Sequence, residues 1–217
     1  LRHNFKGEQM KIAIIGSGNV GGSLGRVWAA KGHEIAFGAR DPNSEKAKAL
    51  ASTTGAQVLN IADAARDAEV VVLATPWEAT AQAIEQAGDL AGKIIIDCTN
   101  PLLSDLSGLS IGHTDSAGET VARLAKGARV VKAFNTTGAG NMLDPRYGDQ
   151  AADMFICGDD EDAKRVVAGL AQEAGFEAVD AGPLSNARLL EPMAMLWIFL
   201  ALKKGWGTNF AFKLLRR

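Results

Sequence analysis

Three glycines mark the first chemistry legible in this chain: Gly16, Gly18 and Gly21, in the run Gly16-Ser17-Gly18-Asn19-Val20-Gly21. The apolar stretch 11–15 precedes the run, and a helix-period pattern over 22–31 follows it. A strand, a G-x-G-x-x-G turn and a helix form the arrangement that holds a dinucleotide pyrophosphate. The first glycine permits a tight exit from the strand. The second lets the backbone approach a phosphate, where any Cβ would collide, and the third lets helix and strand pack closely. The helix N-terminus adds unpaired N–H groups and a partial positive charge. Ser17 and Asn19 can supply further donors, and Val20 belongs to the same candidate cofactor-binding set.

Nineteen residues past Gly21 stands Arg40, where an NAD site would place an acidic residue to hold the ribose hydroxyls. A 2′-phosphate would be repelled by an acid and calls for a cation. Arg40 offers a planar fork for phosphate and can stack on adenine, while Ala39 leaves room for the added group. The chain is therefore expected to take NADP(H). The competing reading makes Arg40 a solvated surface residue and Asp41 the ribose ligand.

Other candidates lie where strands should end, since ligands of an open parallel sheet sit outside the carboxyl ends of its strands. Three ends qualify: Ala74-Thr75-Pro76-Trp77, Cys98-Thr99-Asn100-Pro101 and Ala133-Phe134-Asn135-Thr136-Thr137. Thr75 and Asn100 can contact ribose or nicotinamide, although Thr-Pro and Asn-Pro also start turns. Gly138-Ala139-Gly140 reads as flexible, close-approach backbone. The candidate catalytic residues are Asn135, Lys132 and His113. Lys132 lies inside an apolar strand, where the plain expectation is a buried stem with its ammonium reaching water. His3 falls in the polar start, and His33 at the sheet end opposite the nucleotide, which leaves His113 in a long loop. No Ser-His-Asp or Tyr-Lys arrangement is visible. Reducing a ketone calls for a positioned proton donor, whereas hydride passage to a flavin-like ring asks mainly for orientation. Scarcity of donors favours two-cofactor hydride transfer, with carbonyl or imine reduction and a non-catalytic NADP-binding redox sensor as alternatives.

The elements that must position these residues alternate. Strands are expected at 11–15, 34–37, 57–59, 69–74, 93–98, 129–134, 154–157 and 177–180. Helices are expected at 22–31, 44–53, 61–66, 79–86, 119–125, 160–174 and 186–204, and a loop at 102–116. Apolar strand runs alternating with helices indicate an α/β fold, a Rossmann-type doubly wound parallel sheet with a small C-terminal α/β appendage. Residues 1–9 read as a tag or extended start, 10–140 as the dinucleotide-binding domain, and 141–217 as a small substrate or dimerisation part; alternatively, the later strands extend the same sheet. The last helix is apolar almost all round, which calls for burial on every side. A dimer interface or a central position would provide it. Pro192 should kink or interrupt that helix unless it begins close by.

Composition narrows the class. An apolar share of 47% supports a sizeable core, and a net charge of −2 without any basic block argues against nucleic acid. Cys98 and Cys157 are far apart with no metal spacing, so no metal is expected and both read as reduced core residues of a cytosolic protein. The longest apolar run, 193–202, is about half of a bilayer span. The expectation is a soluble, cytoplasmic protein away from membranes.

From Met10 to Arg217 the sequence resembles the NADP-dependent deazaflavin (coenzyme F420) oxidoreductase family. Beyond the glycines, the resemblance rests on Gly32-His33-Glu34-Ile35, Gly38-Ala39-Arg40, Cys157-Gly158-Asp159-Asp160, the run 180–191 from Asp180 to Glu191, and the ending Phe210-Ala211-Phe212-Lys213-Leu214-Leu215. It implies a homodimer and direct hydride transfer between NADPH and a deazaflavin. It also implies that Ser17 and Arg40 hold the 2′-phosphate and that Ala181, Gly182 and Pro183 flank the nicotinamide. One position departs. Deazaflavin-using members carry a His after the sixth strand where this chain has Asn135, in Lys132-Ala133-Phe134-Asn135-Thr136. That version is more similar to bacterial dinucleotide-binding relatives and to the cytosolic domain of six-transmembrane metalloreductases, whose acceptor is different, such as a flavin.

Overall fold

The computed structural model describes residues 9–217, the Lys46 side chain excepted. Most of the polar start, His3 included, therefore lies outside the described residues. Short runs of Val, Ile and Leu make the central strands β1 (Lys11–Ile15), β4 (Val70–Leu73), β5 (Ile94–Asp97) and β6 (Arg129–Lys132). With β2 (Glu34–Gly38) and β3 (Gln57–Leu59) they pair in parallel in the order β6-β5-β4-β1-β2-β3. That order is doubly wound, and it places the topological switch between β1 and β4. Successive strand residues feed opposite faces. Ile12, Ile14, Val72 and Ile96 pack with Leu24 and Trp28 on one side, and Ala13, Ile15, Val71 and Ile95 with Ile61, Ala83 and Val121 on the other.

The first face is covered by α1 (Asn19–Ala30), and the second by α3 (Ile61–Arg66), α4 (Trp77–Ala87) and α5 (Ala117–Leu124). Helix α2 (Glu45–Thr54) connects β2 to β3 and is capped by Ser44, whose Oγ accepts the Ala47 N–H. Helix α1 starts three residues before the sequence expectation, so Asn19, Val20 and Gly21 form its first turn behind Gly18.

The chain beyond residue 140 does not leave this sheet. A short helix, α6 (Ala139–Leu143), leads into a hairpin of β7 (Arg146–Tyr147) and β8 (Gln150–Ala151). The hairpin reverses the chain, and β9 (Asp153–Gly158) pairs antiparallel with β6. Helix α7 (Glu161–Glu173) then crosses to β10 (Glu177–Asp180), parallel to β9 at the sheet edge. Met154, Ile156, Val167 and Leu170 join the same core as Ile14 and Trp28, and Trp28 Nε1 donates to the Leu170 carbonyl at 3.0 Å. Among the described residues the sheet thus has eight strands.

Two sequence expectations change here. Gly138-Ala139-Gly140 is the start of α6, not a flexible segment; a Cβ on Gly138 would lie 2.6 Å from the Trp197 ring, so the glycine admits an indole. The last helix is composite: a 3₁₀ turn Leu184–Asn186, α8 (Ala187–Ile198) and a π turn Phe199–Lys203. It runs through Pro192. Because α8 begins only at Ala187, the proline removes a single donor, that opposite the Arg188 carbonyl.

At the sheet end away from the glycine turn, Met10 N–H donates to His33 Nδ1 at 3.1 Å. An acceptor Nδ1 leaves the proton on Nε2, which donates to Glu173 Oε2 at 2.7 Å. His33 thereby ties the start of β1 to the end of α7.

Gly21 is the tightest point of the fold, since its Cβ would fall 2.0 Å from the Gly16 carbonyl oxygen and 3.0 Å from Ile14. Gly21→Ala should cost about 2–3 kcal/mol, read as a lower urea midpoint at unchanged slope; a midpoint equal to wild type would contradict this packing.

Candidate active site

The register sets Ile15, Leu73, Asp97 and Lys132 side by side. Gly16, Ala74, Cys98 and Ala133 therefore form one row just outside the carboxyl ends of four strands. Gly16 has φ +116°, and a Cβ there would strike the Ala74 carbonyl oxygen at 2.3 Å. This glycine lets the turn lie against the end of β4. At Gly18 a Cβ would meet nothing within 4 Å. Its open side leaves room for a phosphate, and Gly18 provides no side-chain cap for the first N–H groups of α1.

A cleft of about 680 Å³ runs from this turn past Ser17, Ala39, Arg40, Asp41 and Ser44 to Gln82 and Gln86 on α4. Arg40 is exposed and makes no ion pair among the described residues. Asp41 is engaged with its own turn, its Oδ1 accepting the Asn43 N–H and its carbonyl the Ser44 hydroxyl. Arg40 is thus the cation among the residues that line this cleft, a charge suited to a phosphate. Ser44, at the start of α2, and Gln82 and Gln86 on α4 were not signalled by the sequence motifs; the fold brings them into the lining.

A second lobe of about 300 Å³ shares Ala74, Thr75 and Pro76 with the first. Val20, Trp77, Glu78, Cys98, Thr99 and Asn100 line it, with Leu102, Leu103 and Leu106 from the loop after β5. Thr75 Oγ1 is 2.9 Å from Thr80 Oγ1, which pins the Thr-Pro corner to α4. Asn100 and Asn135 are paired: Asn100 Nδ2 donates to the Asn135 carbonyl and Asn135 Nδ2 to Asn100 Oδ1, both at 3.0 Å. Asn135 Nδ2 also donates to the Leu190 carbonyl at 3.3 Å, while its own Oδ1 is buried without a partner. Before it, Phe134 adopts φ +59°, a strained value for a bulky residue, held by the edges of Trp28 and Phe176.

Beneath this wall lies a charge cluster. Lys132 has no exposed surface, contrary to the expectation of an ammonium reaching water. The physical reason is that β9 covers the far side of β6 while α5 and α8 close the face above it. Nζ donates to Asp97 Oδ2 at 2.8 Å and the Thr99 carbonyl at 2.5 Å, and lies 2.9 Å from Glu191 Oε1. Asp97 Oδ1 accepts the N–H and hydroxyl of Thr99 at 2.9 and 2.7 Å. The Glu191 carboxylate accepts the Ala117 and Gly118 N–H groups, both at 3.0 Å, at the start of α5. Burial by itself lowers the Lys132 pKa, and the attraction of Asp97 and Glu191 outweighs it, leaving the ammonium above the usual lysine value. Burial pushes the Cys98 thiol far up, helped by the Asp97 charge, and Cys157 up to about 12 for the same main reason. Both thiols are inert at neutral pH.

The remaining candidates lie elsewhere. His113 is an exposed loop residue at φ +60° and does not line either lobe. Ala181, Gly182 and Pro183 follow β10, at the opposite edge of the sheet from β1. Because β9 and β10 run antiparallel to β6, their carboxyl ends point away from the row that holds Gly16 and Cys98. None of the three is among the residues that line the two lobes. Asp97 and Glu191 were missed. Asp97 ends the run Ile94-Ile95-Ile96, and Glu191 sits in an apolar helix; each was visible as a charge in apolar company, but neither partner was.

A doubly wound sheet with a glycine cradle and an unpaired arginine at the ribose end defines an NADP-type dinucleotide-binding oxidoreductase. Residues 11–101 match the family described as NADP oxidoreductase, coenzyme F420-dependent. The F420-dependent NADP reductase of Methanothermobacter marburgensis is 35% identical over 89% of this chain and 93% of its own length. A crystal structure of a candidate F420-dependent NADP reductase from Arthrobacter superposes with a TM-score of 0.87 at 35% identity, over 95% of this chain and all of that one. Metalloreductase STEAP3 of Rattus norvegicus is 33% identical over 87% of this chain, which spans 37% of that protein. The chain belongs to the F420-dependent NADP reductase family. A reductive aminase of Aspergillus terreus, at 21% identity and a TM-score of 0.66, shares the fold.

Arg40→Ala should weaken NADP binding roughly 10- to 100-fold, the loss of a hydrogen-bonded charge worth about 1.5–3 kcal/mol, and leave NAD within about twofold. Calorimetric titration of both cofactors checks this; equal losses for NADP and NAD would remove Arg40 from the 2′-phosphate.

Proposed function

We propose that this chain moves hydride between NADPH and the deazaflavin coenzyme F420. The observation that carries the reading is the lining of the second lobe. Its ionisable side chains are Glu78, exposed to solvent in the first turn of α4, and Cys98, whose thiol burial holds in the protonated form. Lys132 is sealed beneath the wall and His113 stands outside. Carbonyl reduction would need a positioned acid. Transfer between two rings needs orientation and exclusion of water, which the apolar walls Trp77, Leu102, Leu103 and Leu106 supply.

When bound, the reduced member of the NADP(H)–deazaflavin pair would supply the hydride and the oxidised member would accept it. In this reading Gly16, Gly18 and the first turn of α1 hold the pyrophosphate, and Ser17 and Arg40 hold the 2′-phosphate. Thr75 and Asn100 stand at the ribose and nicotinamide end, and Asn135 orients Asn100 from behind. Anaerobic NADPH oxidation with F420, free flavins and a panel of small ketones and imines tests the proposal. Turnover with F420 is expected. Turnover of carbonyls alone would overturn it, and tight NADPH binding with no turnover of any acceptor would point to a binding protein.

We further propose that the chain acts as a homodimer. One side of α8 is buried within the molecule, at Leu190, Ala194 and Trp197, while Leu189 and Leu196 remain 66% and 50% exposed, and Leu202 in the following π turn 57%. An apolar stripe of this kind on a helix calls for cover. Light scattering should give twice the 22.8 kDa chain mass, and Leu196→Asp should return it to one; a monomeric wild type at micromolar concentration would sink the dimer. No described helix is long and apolar enough to cross a membrane. The two free, buried cysteines support a reducing, cytoplasmic setting.

A further inference from the structure

We infer that the buried Lys132–Asp97–Glu191 cluster is a positioning device that clamps both ends of the loop walling the acceptor lobe, so that its geometry is set for hydride transfer. The inference rests on the reading of that lobe given above. The loop leaves β5 at Cys98 and ends at α5, carrying Leu102, Leu103 and Leu106 into the lobe. Its first residues are held from three directions. Asp97 Oδ1 takes the Thr99 N–H and hydroxyl, and Lys132 Nζ takes the Thr99 carbonyl. Its far end is held by Glu191, whose carboxylate takes the N–H groups of Ala117 and Gly118. Lys132 joins the two anchors, bonded to Asp97 and lying 2.9 Å from Glu191. One ammonium therefore spans the two ends of one loop. The next residue, Asn100, is locked to Asn135, and Asn135 to the Leu190 carbonyl beside Glu191.

Stability alone is a poor account of this arrangement. Desolvating three charges costs several kcal/mol per ion, and apolar residues of similar volume commonly serve as well or better. What an apolar trio cannot do is bond the Thr99 carbonyl and the α5 N–H groups at fixed distances. The cluster provides those bonds, and each of the three Lys132 N–H donors has an oxygen within reach.

Lys132→Met alone strands two carboxylates and is expected to lower the melting temperature sharply. The decisive variant is therefore the charge-free triple Asp97→Asn, Lys132→Met, Glu191→Gln. It should melt near wild type and bind 2′,5′-ADP, which reaches only the ribose end, within about twofold. Amides of residues 101–116 should exchange hydrogen at least tenfold faster, and the single-turnover hydride rate from NADPH to F420 should fall at least tenfold. If the triple variant does not fold, Glu191→Gln, which keeps one acceptor for the α5 N–H groups, is measured in the same way. Unchanged loop exchange in a folded variant overturns the clamp. Faster exchange with an unchanged hydride rate overturns its role in positioning. If wild-type protein transfers no hydride to F420, the functional reading fails by itself, and loop exchange still decides whether the cluster clamps the loop.

Discussion

The Lys132 ammonium sits with no exposed atom between two carboxylates, and much of the molecule is arranged around keeping it there. A charge taken out of water is tolerated only when its hydrogen-bonding capacity is met. Meeting it requires β5 for Asp97, the strand end for Thr99 and α8 for Glu191. The second carboxylate leaves the cluster with one excess negative charge. The N-terminus of α5 faces that excess with two N–H groups and the positive end of its dipole. Four elements from distant parts of the chain are thereby held in one place, directly under the wall of the cleft.

The cleft itself follows from the strand order. A parallel sheet whose strand order reverses between β1 and β4 leaves a crevice at that point, and the glycine turn fills only part of it. Gly16 closes against Ala74 and Gly21 against the Gly16 carbonyl, while Gly18 stays open. The three glycines thus have three different physical reasons, two of steric necessity and one of access. Family membership and the free charge of Arg40 agree with this geometry on the cofactor. The metalloreductase relative matches over 87% of this chain, close to the 89% matched by the methanogen reductase.

The C-terminal segment is tied to the rest of the molecule in two places. Arg188 pairs with Glu119 on α5 at 2.5 Å, and Glu191 caps the same helix, so α8 is joined to the core by charge as well as by apolar contact. Beyond the π turn, the Phe210 carbonyl accepts from Trp197 and Asn141, and Lys213 and Leu214 both bond Asp153 at the start of β9. These contacts bring the end of the chain across the later strands without reaching the glycine turn.

Local patterns carried much of this in the sequence alone. The glycine spacing, the apolar runs and Arg40 declare a dinucleotide fold and its phosphorylated cofactor because each depends on neighbours within a few residues or on a fixed strand–helix–strand distance. Long-range pairing decided the rest. Asp97 and Lys132 become partners only once β5 and β6 take their register, and Glu191 only once α8 returns over them. The antiparallel turn into β9 set Ala181, Gly182 and Pro183 just after the edge strand β10, a placement that local sequence does not specify. A sequence records which residues bear charge, but the energy of a buried charge depends on what surrounds it in three dimensions. The same lysine that reads as a solvated stem in a strand became, under the cover of α5 and α8, the fixed centre of the site.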